Sequence, residues 1–426
     1  MRLLRPALSK PESCLEAEQP LQVDTITDWQ GLLDLQPAWD ALLTEAGVDH
    51  PFVSHEWVRT WWECFGAGHE LHVLVVNDGE RPIAIVPLMR SEGRFYGLRV
   101  HRLEFVGNVH TPRFDVISAH RRPEAYRAIW RTLLRQKALW DVLVLSHLRA
   151  DSPTLSMLTS LAHGDGYLTG VWRSSETPYI PIEGGWDAYF NQISSKVRAN
   201  FRRRGRRLHQ LGDVRMEVVG SGQEVDGALE AGLRIEAAGW KGRAGTAIAA
   251  EEATHRFYSL LARRAARRGW LRLHFLRVGE RRIAFDFSLL YAEKAYLLKS
   301  AYDPEFATCS PYSQLLVRIL QDHFERGVKE FDFLGQDEAW KLEWATRTRS
   351  QEWLFVMPDS PRMRLLHFTK FRIVPRLRRR RALVVARDAA RALAAALTRR
   401  DRRPRVLRPG WRGGPEAEAE RDTHEQ

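Results

Sequence analysis

Cysteine is scarce: the 426 residues contain three, Cys14, Cys64 and Cys309. An odd number of widely separated thiols indicates neither a disulfide framework nor a cysteine-based metal site, and a reducing compartment is the simplest reading. Long apolar runs are missing as well; none approaches the ~18 residues that a membrane-spanning helix needs. The opening of the chain carries Pro, Glu and Asp where a signal peptide would carry its apolar core. Several catalytic signatures are also lacking. There is no Gly-x-x-x-x-Gly-Lys loop and no Gly-x-Gly-x-x-Gly after a strand, which disfavours nucleotide hydrolysis and nicotinamide chemistry. His110, His274 and His367 have no Gly-x-Ser-x-Gly partner, and Cys309 has no activating neighbours in sequence. The spacing of His, Asp and Glu suggests no metal site.

Acidic residues are scarce in one region. Residues 362–412 hold 18 Lys or Arg against Asp388 and Asp401, and residues 413–426 hold one Arg against five acids. These two segments carry +16 and −4, so the whole net charge of +12 belongs to them and residues 1–361 are neutral. The basicity is that of an appendage. Its run Arg376-Leu-Arg-Arg-Arg-Arg381 precedes an Ala-rich helical stretch, 382–397, with Leu383, Val384, Leu393 and Leu397. An anionic membrane surface, RNA or plain solvent all suit such a segment, and the apolar residues favour the membrane. Residues 415–426 read as an acidic disordered end.

What is present is a 44% hydrophobic chain with fifteen Trp, enough for a well-filled core of one large or two ordinary domains. Two helices are expected over 26–65, the second with a core stripe of Phe52, Trp57, Trp61, Trp62 and Phe65. A hairpin follows, 71–76 and 83–88, around Asp78-Gly79. Strand material at 98–107 and 114–118, a helix over 124–136 and a strand at 140–145 come next. The pattern recurs: Gly79, Glu80, Arg81, Ile83 and Ala84 match Gly279, Glu280, Arg281, Ile283 and Ala284 at a constant offset of 200. The helix from 124 then corresponds to one from 311, and the strand 142–145 to 331–334. The halves read as two copies of one α/β unit with mixed sheets.

The stretch 283–344 organises the second copy. Alternation over 283–291, a polar turn at 292–294 and a second run over 295–302 predict adjacent strands. Ser310 is placed as N-cap and Pro311 as first residue of a helix that Gly327 stops. A strand feeding a helix with free N–H groups in its first turn is an anion site of the kind a phosphorylated donor needs. Between the copies, the helix predicted over 186–210 sets Trp186, Phe190, Ile193, Val197, Phe201 and Leu208 against Lys196, Arg198, Arg202, Arg203, Arg204, Arg206 and Arg207. The cations read as a solvated face or as a groove wall for phosphates. The helix predicted over 225–240 places Glu236 within an apolar stripe of Val225, Leu229, Leu233 and Trp240, where a carboxylate is costly unless it is paired or faces a polar pocket.

Ser194-Ser-Lys-Val-Arg-Ala-Asn-Phe-Arg-Arg203, Glu236 with Trp240-Lys-Gly242, Ala301-Tyr-Asp-Pro-Glu305 with Ser310-Pro311, and Asp332-Phe-Leu-Gly335 with Trp340-Lys341 together resemble a known family. It is that of the bacterial GNAT-like acyltransferases linked to cellulose and exopolysaccharide biosynthesis, related to the Fem-type aminoacyl transferases. The resemblance runs over about 29–357 and is most specific from 189 to 344. One departure is Tyr312, where the family pattern favours Gly. The resemblance implies two GNAT-like units in tandem, 21–175 and 176–361, after a lead-in at 1–20 and before the basic helical tail. It implies acetyl-CoA or another acyl-CoA as donor, no metal, and direct attack of an amine or hydroxyl on the thioester. The acceptor would be a sugar, lipid-linked or other cell-envelope group. Ser310, Tyr312, Ser313, Gln314 and Leu315 would cradle the donor. Glu236 would be the base, with Asp303 or Asp332 as substitutes, and Tyr302 would assist the leaving thiolate. Arg198, Arg202, Lys299 and Lys341 would hold substrate. The expected location is cytoplasmic, with a peripheral contact to the inner membrane face through 376–403. Two other readings stay open: a non-catalytic accessory protein of a membrane or polysaccharide-synthesis assembly, and a Fem-like transferase using aminoacyl-tRNA.

Overall fold

The computed structural model describes residues 20–239, 245 and 247–379. Trp240-Lys-Gly242, the lead-in, the stretch 382–397 and the acidic end lie outside the described residues.

The first half runs β1 (Gln22–Ile26), α1 (Trp29–Asp34), α2 (Gln36–Glu45), α3 (His55–Phe65), β2 (Glu70–Asp78), β3 (Arg81–Phe95), β4 (Leu98–Phe105), β5 (Ile117–Ser118), α4 (Arg122–Arg135), β6 (Val142–Arg149), α5 (Pro153–Gly164) and β7 (Leu168–Pro181). The second runs α6 (Trp186–Gln192), α7 (Ser195–His209), β8 (Val214–Val219), α8 (Glu224–Ala238), α9 (Glu252–Arg267), β9 (Leu271–Val278), β10 (Arg281–Tyr291), β11 (Lys294–Tyr302), α10 (Pro311–Arg326), β12 (Glu330–Asp332), α11 (Ala339–Leu342) and β13 (Arg347–Met357). A closing segment comprises α12 (Pro361–Phe368), a π-turn (Thr369–Ile373) and α13 (Val374–Arg379).

All the strands join one sheet in the order β1-β2-β3-β4-β6-β13-β7-β12-β11-β10-β9-β8, with β5 paired to β3 off this path. Read from either end the order is the same: β1 to β4 answer to β8 to β11, and β6 answers to β12. The halves exchange their last strands. β7 pairs with β12 of the second half, β13 pairs with β6 of the first, and the two pair with each other along 347–357. The expected boundary at 175/176 falls inside β7.

Backbone joints repeat as well. Positive φ occurs at Gly79 and Gly279 in the hairpin turns, at Arg121 and Ser310 before α4 and α10, and at His147 and Leu334 beyond the parallel pairs. Non-glycine residues rarely adopt this region, so the same strained joints at matching places mark two copies of one α/β unit in tandem.

One face of the sheet is covered by α1–α3, α8 and α9, and the core between sheet and helices is continuous across both halves: Trp39, Trp57, Trp61 and Phe257 from the helices, Phe52 from the turn before α3, and Phe285 and Tyr296 from β10 and β11. The opposite face holds two separate cores, under α4 and α5 and under α6, α7 and α10. The single helix expected over 186–210 is two helices. The chain breaks at Ile193, and the Ser194 side chain accepts the Val197 N–H to start α7.

Candidate functional site

β11 and β12 run parallel but register over only three pairs, Lys294–Glu330, Ala295–Phe331 and Tyr296–Asp332. β11 continues to Tyr302, still paired with β10 on its other edge. The chain after β12 turns away: the Phe333 N–H donates to Pro178 O at 3.1 Å and Leu334 takes φ 52°. Among the described residues the far half of β11 therefore keeps one unpaired edge, and a wedge opens between the strands. A register break between Phe287 and Ser288 leaves Leu298 as an extra residue on β11, a bulge that turns backbone groups out of the ladder beside the wedge.

The first half has the same parallel pair, β4 with β6, also over three residues. There the chain fills its own gap. The Phe114 N–H donates to His147 O at 3.2 Å, and the Phe114 ring stacks on Phe105 at 5.0 Å and leaves no room for a Cβ on Gly107. Of the two equivalent wedges, the second is the open one among the described residues, where no strand pairs with the far half of β11 on that edge.

On one face of the open wedge stands the start of α10. Ser310 occupies the cap position, but in the left-handed region and without a side-chain cap hydrogen bond, contrary to the expected N-cap. Pro311 has no N–H, and the N–H groups of Tyr312 and Ser313 have no partner within the helix. Of the residues expected to cradle the donor, Ser310 donates its N–H to Ala307 O at 3.1 Å, Gln314 donates its N–H to Ser310 O at 3.2 Å, and Leu315 is core. The Tyr312 side chain does not block the turn. It points into the sheet, where its hydroxyl donates to Asp286 Oδ2 at 2.9 Å and its ring meets Trp340 edge-on. Burial, then the Asp286 carboxylate, hold this phenol well above its usual pKa.

Gln314 also ties α10 to α7. Its amide donates to Phe201 O at 2.9 Å, and a Cβ on Gly205 would stand 2.9 Å from its Oε1. The cationic helix thus flanks the α10 start. Arg198 donates to Asn191 at 2.7 Å and Arg202 is exposed. Among the described residues none of the seven cations on α7 has a carboxylate in ion-pair range.

On the other face, the Lys299 ammonium lies 5.2 Å from the centre of the Tyr258 ring. Tyr258 OH is 3.4 Å from His110 Nδ1, His110 Nε2 is 3.3 Å from Thr254 Oγ1, and Thr254 Oγ1 is 2.7 Å from Glu251 Oε2. A carboxylate only accepts, so the Thr254 hydroxyl donates to it and receives from His110, whose Nδ1 receives from Tyr258. This oriented chain of hydroxyls and imidazole leads from beneath Lys299 to the exposed Glu251. Sequence reading missed it: α9 was not predicted, and His110 was weighed only as a hydrolase residue.

The other expected site residues take different places. Glu236 is buried and accepts the Ile248 N–H at 3.0 Å, bracing the turn Ile248–Ala250 that leads into Glu251. Asp332 lies within the inter-half core, taking Arg113 at 2.7 Å and the Leu334 N–H at 2.9 Å. Lys341 is turned inward to Leu334 O at 3.0 Å and Glu338 Oε1 at 2.9 Å. Both hold the loop that forms the second wall of the wedge. Asp303 accepts the Glu305 N–H and is bridged by Arg281, and Tyr302 ends β11 partly exposed.

Residues 195–342, from α7 through α11, match the family described as Acetyltransferase (GNAT) domain. No curated protein sequence matches. Among solved structures, FemX superposes with a TM-score of 0.53 at 13% identity, over 81% of this chain and 100% of that one. The C-terminal domain of a putative lysylphosphatidylglycerol synthetase from Agrobacterium fabrum gives 0.50 at 14% identity, over 79% and 96%. A protein of unknown function from Bacteroides thetaiotaomicron gives 0.50 at 10%, over 79% and 100%. At these identities the likeness is one of fold. The chain has a GNAT-like fold, and the matched domain spans the wedge between β11 and β12.

Proposed function

We propose that the protein is an acyltransferase that takes an acyl-CoA into the wedge between β11 and β12. The observation that carries this reading is the contrast between the two wedges: one filled by Phe114, the other open, bulged and flanked by a helix start. An extended pantetheine arm suits the unpaired edge of β11, and the pyrophosphate suits the Tyr312 and Ser313 N–H groups with Arg198 and Arg202 nearby. An acceptor amine or hydroxyl then attacks the thioester carbonyl from the Lys299 face. Its proton leaves along Tyr258, His110, Thr254 and Glu251, the C–S bond breaks, and the thiolate takes up a proton. Backbone N–H groups at the Leu298 bulge would stabilise the oxyanion. Glu236 serves by fixing the turn that carries Glu251. A sugar, lipid-linked or cell-envelope acceptor is the reading that the motif resemblance favours.

The test is calorimetric titration of the full chain with acetyl-CoA and longer acyl-CoA analogues. Ser313→Glu adds a charge that suits a helix start but repels phosphate. Binding by the unaltered chain, lost in that variant, supports the reading. A folded chain that binds no CoA would sink it. Seven α7 cations with no acidic partner among the described residues favour, as the second reading, a larger polyanionic donor such as an aminoacyl-tRNA.

A further inference from the structure

We propose that residues 361–377 form a membrane-docking face that seats the protein on an anionic bilayer, a role separate from the wedge chemistry. The segment has two faces. The inner one is fixed to the sheet: Met363 and Leu366 are buried with Phe95, Val142, Val144 and Phe355. Lys370 is fully buried, its ammonium 4.3 Å from the centre of the Phe355 ring, 4.9 Å from Trp172, 5.3 Å from Phe95 and 6.0 Å from Tyr96. The Phe371 ring covers Gly170 so closely that a Cβ there has no room. His367 Nε2 bonds Thr169 O at 2.8 Å. An aromatic enclosure of this kind holds an ammonium firmly, so the segment is anchored to β3, β7 and β13.

The outer face has the opposite character from an ordinary surface. Leu365 is 58% exposed, Phe368 50%, Ile373 36% and Leu377 46%. Eleven large apolar side chains are exposed among the described residues, and these seventeen positions hold four of them. The spacing explains the stripe. Met363, Leu366 and Lys370 point inward at helical intervals. The wider π-turn Thr369–Ile373 keeps Ile373 and Leu377 on the side of Leu365 and Phe368. Exposed Arg362, Arg364, Arg372 and Arg376 alternate with the apolar residues. Arg364 is paired with Asp359, and Arg362 reaches Arg99 O and Asp141. The sequence that follows adds the rest of the +16 carried by 362–412, on a body that is neutral.

Apolar side chains outward among arginines, on a rigidly held segment, match the chemistry of a bilayer interface: acyl chains for Leu365, Phe368, Ile373 and Leu377, anionic headgroups for the arginines. RNA would satisfy the arginines and leave the apolar stripe in water.

Co-sedimentation of the full chain with phosphatidylcholine vesicles, with and without phosphatidylglycerol, tests the proposal. Binding is expected only to the anionic vesicles and is expected to weaken with salt. The triple variant Leu365→Ser, Phe368→Ser, Leu377→Ser alters exposed positions. It should retain the melting transition and bind roughly tenfold or more weakly. Arg372→Gln with Arg376→Gln should weaken binding by about tenfold at low salt. Absence of vesicle binding overturns the proposal, as does binding that the triple variant leaves unchanged. Retention on RNA without vesicle binding overturns it too. Acyl-CoA titration is unaffected by any of these outcomes.

Discussion

Arg113 and Asp332 are 219 residues apart in sequence and joined by a 2.7 Å hydrogen bond in a core where neither is exposed. The pair links the loop that fills the first wedge to the strand end that opens the second. Arg349 adds a weaker contact to the same carboxylate at 3.8 Å. Asp332 is thus the acidic centre of the inter-half joint, which leaves it unsuited to the role of a mobile base. Removing one partner strands a buried charge, so Asp332→Ala or Arg113→Met should each cost ~3–5 kcal/mol in chemical denaturation. The double variant should cost less than the two single losses added together. Additive losses would show that the two side chains do not stabilise each other.

Lys341 separates a structural from a substrate-binding role. Its amine donates to Leu334 O and Glu338 Oε1 and stands 3.1 Å from where a Cβ on Gly335 would be. Lys341→Met should lower stability by about 1–3 kcal/mol, because the buried carbonyl loses its donor. It should raise the donor KM through a loosened wedge wall. A variant of unchanged stability with altered KM alone would return Lys341 to direct substrate contact.

The relay predicts a split between binding and turnover. Tyr258→Phe and His110→Ala each break the path from Lys299 to Glu251, and neither residue belongs to the donor cradle. Acyl-CoA affinity should therefore hold while kcat falls by about 10²-fold, the usual scale of a positioned proton acceptor. The two losses should not multiply, since either substitution interrupts the same chain. Equal loss of affinity and turnover would show that the cluster only supports the fold.

The repeat was legible in the sequence because it rests on local signals: turn glycines with positive φ at 79 and 279, an apolar period along α10, and a Pro at its start. The exchange of β7 and β13 was not. β7 is largely half-exposed along 168–176 and lacks the alternation that announces a strand, and its partners lie far along the chain. The site was less legible still. His110, Glu251, Thr254, Tyr258 and Lys299 come from three separate segments, and Glu251 stands at the cap position before α9 without making a side-chain cap hydrogen bond. Polar residues that look functional in a motif, Asp332 and Lys341, are buried and bonded to the chain around them. Only the fold decides which polar groups meet one another and which meet a ligand.

His323 gives the fold a predictable acid limit. It lies on the inner side of α10 against Phe331 and His274, and neither ring nitrogen has a hydrogen-bond partner among the described residues. Burial pushes its pKa down from 6.5 to about 4. His274 and Arg272 on β9 act in the same direction, while Asp322 beside it and Asp286 on β10 oppose. The unfolded chain binds the proton more readily than the folded one. The contribution of His323 is therefore complete above pH 6.5 and is lost as pH falls toward about 4. A shift of that size corresponds to on the order of 3 kcal/mol. His50, which burial pushes down to about 3, adds loss in the same sense. Denaturation should show stability falling on acidification from neutral pH to about pH 5. His323→Gln, which carries no titrating proton, should flatten that slope even if it lowers stability at neutral pH. An unchanged slope in His323→Gln would assign the acid sensitivity to other groups.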